Sequence, residues 1–599
     1  MKKKINKNLE VMRHSTSHLM AAAILELFPN TKFGIGPVIE NGFYYDFDLE
    51  KPIKEEDLLK IEKKMKELQE KNLKFERKEI TIDEAKELFK KLNQPYKLEL
   101  LEDIKKYGTT YEKLQTAIPP KINSKPKIPK TVTIYQLGNF IDLCRGPHLK
   151  STKEIGAFKL LKIAGAYWRG DEKNKMLTRV YGTVFFTPKE LGQYLKNLEE
   201  SEKRDHRVLG RELDLFSISE ELGAGLILWH PKGASVRKII ENFWKEEHKK
   251  RGYQLVYSPH IGKLDLWKKS GHWEFYRENL YQPMKIENEE YLLKPMNCPF
   301  HILIYQSQIR SYRDLPLRYA ELGTVYRYER SGVLHGLVRV RGFTQDDAHI
   351  FCTQEQLEKE IIGVLKLAIF MMKTFGFKDA QVFLSTRPEK SIGSDQMWER
   401  ATNALKGALE KTNVKYQIDP GEGVFYGPKI DIKTIDALGR AWQGPTIQVD
   451  FNFPERFNLY YIDEKGKKIQ PVMIHRTVLG SMERFFGCLI EHYAGVFPVW
   501  LSPIQIYLAP VGRAHWQYVK KLSQEFEELG LRVWIDESRE TIPYKVRKAE
   551  KQKIPYILVI GDKEIKSKAL NVRMRGNVVK KMSKKKFIEK ILKEIKNKK

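Results

Sequence analysis

Short apolar runs alternate with helix-periodic stretches over the last hundred positions. IQIYLAP, YVKKLSQEFEEL, LRVWID, PYKVRKAEKQK and PYILVIGD predict strand, helix, strand, helix, strand. That pattern describes a small α/β domain. Its end, KKMSKKKFIEKILKEIKNKK, spaces Phe587, Ile588, Ile591, Leu592 and Ile595 as one face of a final amphipathic helix whose other face is strongly basic. Far upstream, KELGQYLKNLEESEKRDHRVLGRELDLF is charged and helix-periodic, which predicts an exposed connecting helix over roughly 190–215. Two prolines among large apolar residues, in FPVWLSP at 497–503, mark a second break. These breaks divide the chain into residues 1–200, 201–497 and 498–599. The segment 111–130, YEKLQTAIPPKINSKPKIPK, has the proline and lysine content of a surface insertion.

In the middle part, RYAELGTVYRYERSGVLHGLVRVRGFTQDDAHIF (318–351) sets two β-branched apolar segments around a polar, glycine-containing stretch. It predicts two antiparallel strands joined by a long hairpin loop. Arg327 and Glu329, two apart on the first strand, then share a face. A guanidinium able to fork onto phosphate beside a carboxylate able to accept from an exocyclic amine suits ATP, although the same pair also describes a surface ion pair.

A length of 599 residues exceeds what one core serves, and a 41% apolar content supplies several cores. The excess of 106 basic over 77 acidic residues gives +29, which favours a polyanionic partner such as nucleic acid. The four cysteines, Cys144, Cys298, Cys352 and Cys488, form no CxxC pair and no disulfide framework, which points to a reducing compartment. The start MKKKINKNLE lacks an apolar run, and no window approaches a membrane span. Phosphate-binding loops of the GxxxxGK[ST] kind are missing, and GEGVFYG has the wrong spacing for a dinucleotide fingerprint. KMSKK (581–585) falls in the predicted final helix and HIGK (260–263) lacks a second histidine, so neither serves as a class I synthetase signature.

Taken in order, ASVRKIIENFWKEEHKKRGYQLVYSPHI (234–261), the 318–351 segment and HRTVLGSMERFFGCLIE (475–491) resemble motifs 1, 2 and 3 of class II aminoacyl-tRNA synthetases. KPMNCPFH, LHGLVRVRGFTQDDAHIF, GVFYGPKIDI and VMIHR resemble the threonine-specific branch of that class. The resemblance implies an α+β multidomain chain: an antiparallel-sheet catalytic core, an N-terminal α+β editing domain and a C-terminal α/β anticodon-binding domain. It also implies a homodimer formed through motif 1, a cytoplasmic location, and tRNA, ATP and threonine as partners.

By the same resemblance Cys298, His349 and His475 bind one zinc ion. An isolated apolar cysteine otherwise describes a buried small residue, and ligands so far apart in sequence carry no local spacing signal. Met296, Gln345, Asp347, Tyr426, Thr446 and Gln448 are implied as the amino-acid pocket. Arg327, Glu329, Arg339 and Arg484 are implied as the ATP site, with Mg²⁺ on the phosphates, and His272 in SGHWEFY as a residue of the transfer step. An open zinc position addresses a selectivity problem, because an apolar pocket separates isosteres such as threonine and valine by only about 10²-fold.

Serine passes such a filter, so a second site is expected. HSTSH sets His14 and His18 on one helix face, and CRGPH sets Cys144 four residues before His148. As spacing, the two pairs describe a four-ligand zinc site. The resemblance instead implies metal-free hydrolysis of seryl-tRNA, with Lys97 and Asp142 as further editing residues and His14, His18 and Lys97 acting on water. Relatives commonly carry a further N-terminal domain of about 60 residues that does not precede the HxxxH helix here. Glu564 and Arg573 are implied anticodon contacts, and Arg539 stands where relatives often have asparagine. A tRNA-like mRNA regulator and a stand-alone hydrolase of mischarged tRNA are the rival functions.

Overall fold

The computed structural model describes residues 7–109, 128–567 and 569–599. Contacts divide the chain into two compact units, Met1–Glu199 and Glu200–Lys599. Most of the predicted insertion at 111–130 lies outside the described residues.

The first unit opens with α1 (Lys7–Leu27), whose inner positions from Met12 to Ile24 are almost all buried. It packs on an antiparallel sheet of β1 (Gly42–Asp48) and two long strands near the end of the unit, Ala157–Tyr167 and Met176–Phe185. Phe43, Tyr45 and Phe47 alternate along β1 and are buried with Leu19 and Met20 of α1 in one apolar core. Helix α2 (Pro95–Tyr107) and strands β2 (Thr131–Leu137) and β3 (Phe140–Leu143) bring Lys97, Asp142 and Cys144 toward α1. The predicted exposed connecting helix is found only as α3 (Pro188–Lys203), none of whose residues is buried; the remainder of the predicted span is a separate short helix, His206–Glu212, with His206 and Leu209 buried.

The second unit is built on an eight-stranded sheet whose six central strands run antiparallel. The motif hairpin appears as β4 (Leu317–Tyr326) and β5 (Gly342–Cys352), paired from Leu317–Phe351 to Tyr326–Gly342. Beyond β5 come β6 (Val472–Thr477) and its neighbour Ala441–Asp450. Among the described residues, helices α4 (Pro231–Lys250), Leu357–Thr374, Asp395–Lys411 and α5 (Met482–Tyr493) pack over one face. Val236, Ile240, Phe243 and Trp244 at helical spacing on α4, with Phe485, Phe486 and Leu489 on α5, make that face the main core.

Strand β4 ends at Tyr326, so Arg327 and Glu329 are not two positions of one strand as the sequence suggested. Arg327 still donates its backbone N–H to Arg341 O at 2.9 Å, after which the chain leaves the ladder. Glu329 belongs to the hairpin loop.

The C-terminal hundred residues contain the anticipated alternation, with the parallel strands Ile506–Pro510, Val533–Ile535 and Tyr556–Ile560. Two antiparallel strands, Ala569–Met574 and Val578–Ser583, extend this sheet and were not anticipated. The second corrects the placement of KMSKK. Lys581, Met582 and Ser583 end a strand, and the helix begins only at Lys584, where Ser583 Oγ accepts from Lys586 N. Lysines on an edge strand have no apolar period to betray them, so helix and strand look alike there.

Candidate active site and the N-terminal cluster

A cavity of about 1170 Å³ opens over the face of the large sheet not covered by the helices. Strand period decides what lines it: Gln345, Asp347 and His349 project into it, while the intervening Asp346, Ala348 and Ile350 are buried. Register then aligns three strands, because His349 pairs with His475 and His475 with Gln448. Cys298 arrives from outside the sheet, as the first residue of the helix Cys298–Gln306, started by Pro299. One ligand atom each from Cys298, His349 and His475 lies within 4.8 Å of the others, and all three side chains are buried.

Neighbours fix which nitrogens face this point. His475 Nε2 is 3.0 Å from Asp450 Oδ2, and His349 Nδ1 is 2.8 Å from His301 Nδ1, leaving His475 Nδ1 and His349 Nε2 for a ligand. Burial, then the carboxylates of Asp347 and Asp450, pushes the Cys298 thiol well up. Burial pushes the His349 imidazole well down, which keeps it neutral. A soft sulfur and two imidazoles, each oriented by a partner, fit zinc with a coordination position left over.

Met296, Gln345, Asp347, Tyr426, Thr446 and Gln448 all line the same cavity. Tyr426 donates its hydroxyl to Gln448 Oε1 at 2.5 Å, and Asp347 Oδ2 accepts from Asn297 Nδ2 at 3.1 Å. Asn297 was missed although it stands inside KPMNCPFH. His301, which closes the same segment, and Asp431 of GVFYGPKIDI, whose Oδ1 accepts from Thr446 Oγ1 at 3.3 Å, were missed as well, and nothing in the local sequence marks Asp450. His272 is fully buried, lies between Ser270 Oγ at 2.7 Å and Met296 Sδ at 3.0 Å, and is 3.9 Å from Cys298 Sγ. It does not line the cavity, and burial, then His475 and Arg327, lowers it to about 3.

Arg327 lines the cavity with its guanidinium 5.1 Å over the Phe343 ring and Nε donating to Pro295 O at 3.3 Å. Glu329 and Arg339 form an ion pair across the hairpin loop at 2.9 Å. Arg484 lies in the first turn of α5, where its backbone N–H is capped by Ser481 Oγ, and its Nε donates to Val338 O at 3.1 Å. Burial lowers its pKa, and the cations of Arg327 and Arg339 act in the same direction. Three arginines thus share one positive field beside the cavity. Just ahead of α5, the carboxylate of Asp346 accepts from the backbone of Val478, Leu479 and Gly480 at 2.7–2.8 Å and so fixes the entry to that helix.

In the first unit, ligand atoms of His14, His18, Cys144 and His148 also lie within 4.8 Å of one another. Cys144 Sγ is 3.3 Å from His14 Nε2 and 3.3 Å from His148 Nε2. Beneath them, Asp142 Oδ2 is 3.3 Å from His18 Nε2 and accepts from Tyr45 OH at 2.6 Å, while its other oxygen pairs with Lys97. Lys97 also donates to Gly34 O at 2.6 Å and is only 2% exposed. The Lys97 side chain therefore braces Asp142 within the cluster. Tyr45, missed in the sequence, is a strand residue indistinguishable there from core. Burial, then Asp142, pushes the Cys144 thiol up to about 12, and burial with the charges of His18 and His14 drives His148 far down.

At the C-terminal end Glu564 is buried, its oxygens taken by Gly561 N at 3.0 Å and Asn571 Nδ2 at 2.6 Å. Arg573 faces Glu550 at 3.5 Å. Arg539 lines a separate cavity of about 400 Å³ with Arg513, Trp516 and Lys545.

Three family models match: "tRNA synthetase class II core domain (G, H, P, S and T)" over 281–493, "Anticodon binding domain" over 505–594, and "Threonyl and Alanyl tRNA synthetase second additional domain" over 132–181. A threonine–tRNA ligase of Dehalococcoides mccartyi is 58% identical over 95% of this chain and 94% of its own. One from Citrifermentans bemidjiense is 54% identical over 98% and 89%. Among solved structures, the RNA binding domain of threonyl-tRNA synthetase from Cryptosporidium parvum Iowa II superposes with a TM-score of 0.63 at 40% identity, covering 65% of this chain and 98% of its own. The sheet, its arginines and these matches make the chain a class II aminoacyl-tRNA synthetase. No helix among the described residues is long and apolar enough to cross a membrane. Within its class the chain belongs to the threonine–tRNA ligase family.

Proposed function

We propose that this chain activates L-threonine with ATP in the cavity over the large sheet and transfers it to the 3′ end of tRNA(Thr). The observation that carries the reading is the convergence of Cys298, His349 and His475, from three separate segments, on one point of that cavity's wall. These residues would hold zinc, whose Lewis acidity would select a substrate offering both an amino group and a β-hydroxyl.

Asp347 receives the threonine ammonium, and Gln345, Thr446, Gln448 and Tyr426 shape the pocket around the side chain, with Met296 on its apolar side. Threonine's carboxylate attacks the α-phosphorus, the bond to the bridging oxygen of the β-phosphate breaks, and pyrophosphate leaves with that electron pair. Arg327 neutralises the charge that builds at the α-phosphate, Arg339 and Arg484 hold the outer phosphates, and Glu329 accepts from the adenine amine once Arg339 turns to phosphate; bound Mg²⁺ would supply further neutralising charge there. In the second step the terminal ribose hydroxyl attacks the acyl carbon and AMP departs. His272, packed on Met296, positions the acyl end for that transfer.

The N-terminal cluster hydrolyses seryl-tRNA(Thr), with His14 and His18 directing water and Asp142, braced by Lys97 and Tyr45, orienting His18. The C-terminal domain reads the anticodon, where Arg573 contacts a base and Glu564 shapes the surface beside it. The enzyme works as a cytoplasmic homodimer, with domains at 1–200, 201–497 and 498–599. Threonine-dependent exchange of pyrophosphate into ATP tests the reading. Cys298→Ser should abolish exchange and remove bound zinc; full exchange in a zinc-free protein would refute it.

A further inference from the structure

His206 lies outside every motif and lines no part of the cavity, yet it is completely buried and both ring nitrogens are engaged. Leu337 N donates to His206 Nε2 at 3.0 Å. That bond makes Nε2 the acceptor, so Nδ1 carries the proton and donates to Glu491 Oε1 at 2.6 Å. The two partners belong to the two elements that carry the phosphate arginines. Leu337 sits in the hairpin loop two residues before Arg339, and Glu491 ends the helix α5 that begins beside Arg484.

Other contacts fit the same clasp. Gly336 has φ +47°, and a Cβ there would fall 2.1 Å from His206 Nε2. Across the seam, a Cβ on Gly487 of α5 would stand 3.3 Å from Leu337 Cβ and 3.5 Å from His206 Cδ2. The second oxygen of Glu491 is 2.6 Å from Arg440 Nη2, so the carboxylate is itself held. With both imidazole nitrogens and both carboxylate oxygens used, the Asp205–His206–Glu491 group has no donor set to offer a metal.

We propose that His206 is a positioning residue that locks the hairpin loop to α5 and thereby sets Arg339 and Arg484 at the spacing of ATP's outer phosphates. The inference rests on the ATP reading of the site given above. It assigns a cause to a part of the loop that touches no substrate: the loop tip has one backbone donor aimed at a buried imidazole, and that imidazole is anchored to the opposite wall of the phosphate site.

The test is steady-state pyrophosphate exchange by the full chain with two variants that break the clasp differently. His206→Phe keeps the ring and removes both hydrogen bonds, whereas Gly336→Ala leaves every polar group in place and drives a methyl into the ring. Both should raise the KM for ATP about tenfold, the worth of one lost buried hydrogen bond. Threonine KM, zinc content and the affinity for a non-hydrolysable threonyl-adenylate analogue, which lacks the outer phosphates, should stay within twofold of the parent. Weakening of ATP and analogue alike would show a merely structural role, and unchanged ATP KM in folded variants would overturn the proposal. If the unsubstituted chain shows no threonine-dependent exchange, the reading of the site fails instead, and that result is separate from any difference between variants.

Discussion

The Nδ1 atoms of His301 and His349 lie 2.8 Å apart, and the His301 ring continues through Nε2 to Glu321 Oε2 at 3.0 Å. With His349 Nε2 turned toward Cys298, His349 must donate from Nδ1, His301 must accept there, and His301 Nε2 then donates to the carboxylate. Glu321 is further fixed by Ser258, whose backbone N and Oγ both reach it at 2.7–2.8 Å. The chain of donors thus selects one tautomer of a metal-facing imidazole from a carboxylate two hydrogen bonds away. His301→Phe should therefore weaken zinc binding by about 10–100-fold and raise the KM for threonine, leaving the KM for ATP unaltered. Competition with a chromogenic chelator measures the first, and pyrophosphate exchange the second.

Zinc retention should depend on pH with a fixed sign. Burial and nearby carboxylates hold the free Cys298 thiol above its ordinary value, so binding must expel its proton. As pH falls, that proton competes harder, and apparent affinity should drop by about tenfold per pH unit throughout the neutral range. Chelator competition across that range checks the slope. A flat profile would mean that the thiol is not a ligand.

How much of this was legible beforehand follows from where each constraint sits in the chain. The hairpin carrying Gln345, Asp347 and His349 could be read, because β-branched alternation is local and the strand period alone puts those residues on one face. His475 and Cys298 could be linked to them only by resemblance, since their meeting depends on the register of β5 with β6 and on a helix packed against the sheet from outside it. Tyr45, Asp450, Glu321 and His206 were invisible for another reason. Each is a buried polar group whose sequence neighbourhood looks like ordinary core or surface, and only tertiary packing reveals its partner. Glu329 and the KMSKK segment were misplaced by boundary errors, where a strand ends three residues short of Glu329 or a lysine-rich edge imitates a helix.

Lys97 gives a stability prediction distinct from an editing one. Its ammonium is buried against Asp142, Gly34 O and Tyr45 OH, so Lys97→Met would leave a buried carboxylate without its cation. Breaking such a pair costs about 3–5 kcal/mol, so amide protons of α2 should exchange much faster in this variant. His14→Ala removes no such partner. It should leave exchange rates and threonine charging unchanged while seryl-tRNA accumulates, which hydrogen-exchange mass spectrometry and a serine mischarging assay can separate.

Cys144 decides between the two chemistries that its neighbours permit. Without a metal, burial and the charge of Asp142 raise the thiol to about 12, although Gly146 N donates to the sulfur at 3.3 Å. The reactive thiolate is then scarce at neutral pH, and alkylation by iodoacetamide should quicken about tenfold per unit up to about pH 11, where an ordinary thiol levels off near pH 9. A chelator should not alter that rate. If the four side chains instead held a cation, the sulfur would be deprotonated but capped, and chelation would release a sudden burst of labelling. Peptide mass spectrometry of Cys144 with and without chelator distinguishes the cases, and a burst would transfer the hydrolytic role of His14 and His18 from directing water to binding metal.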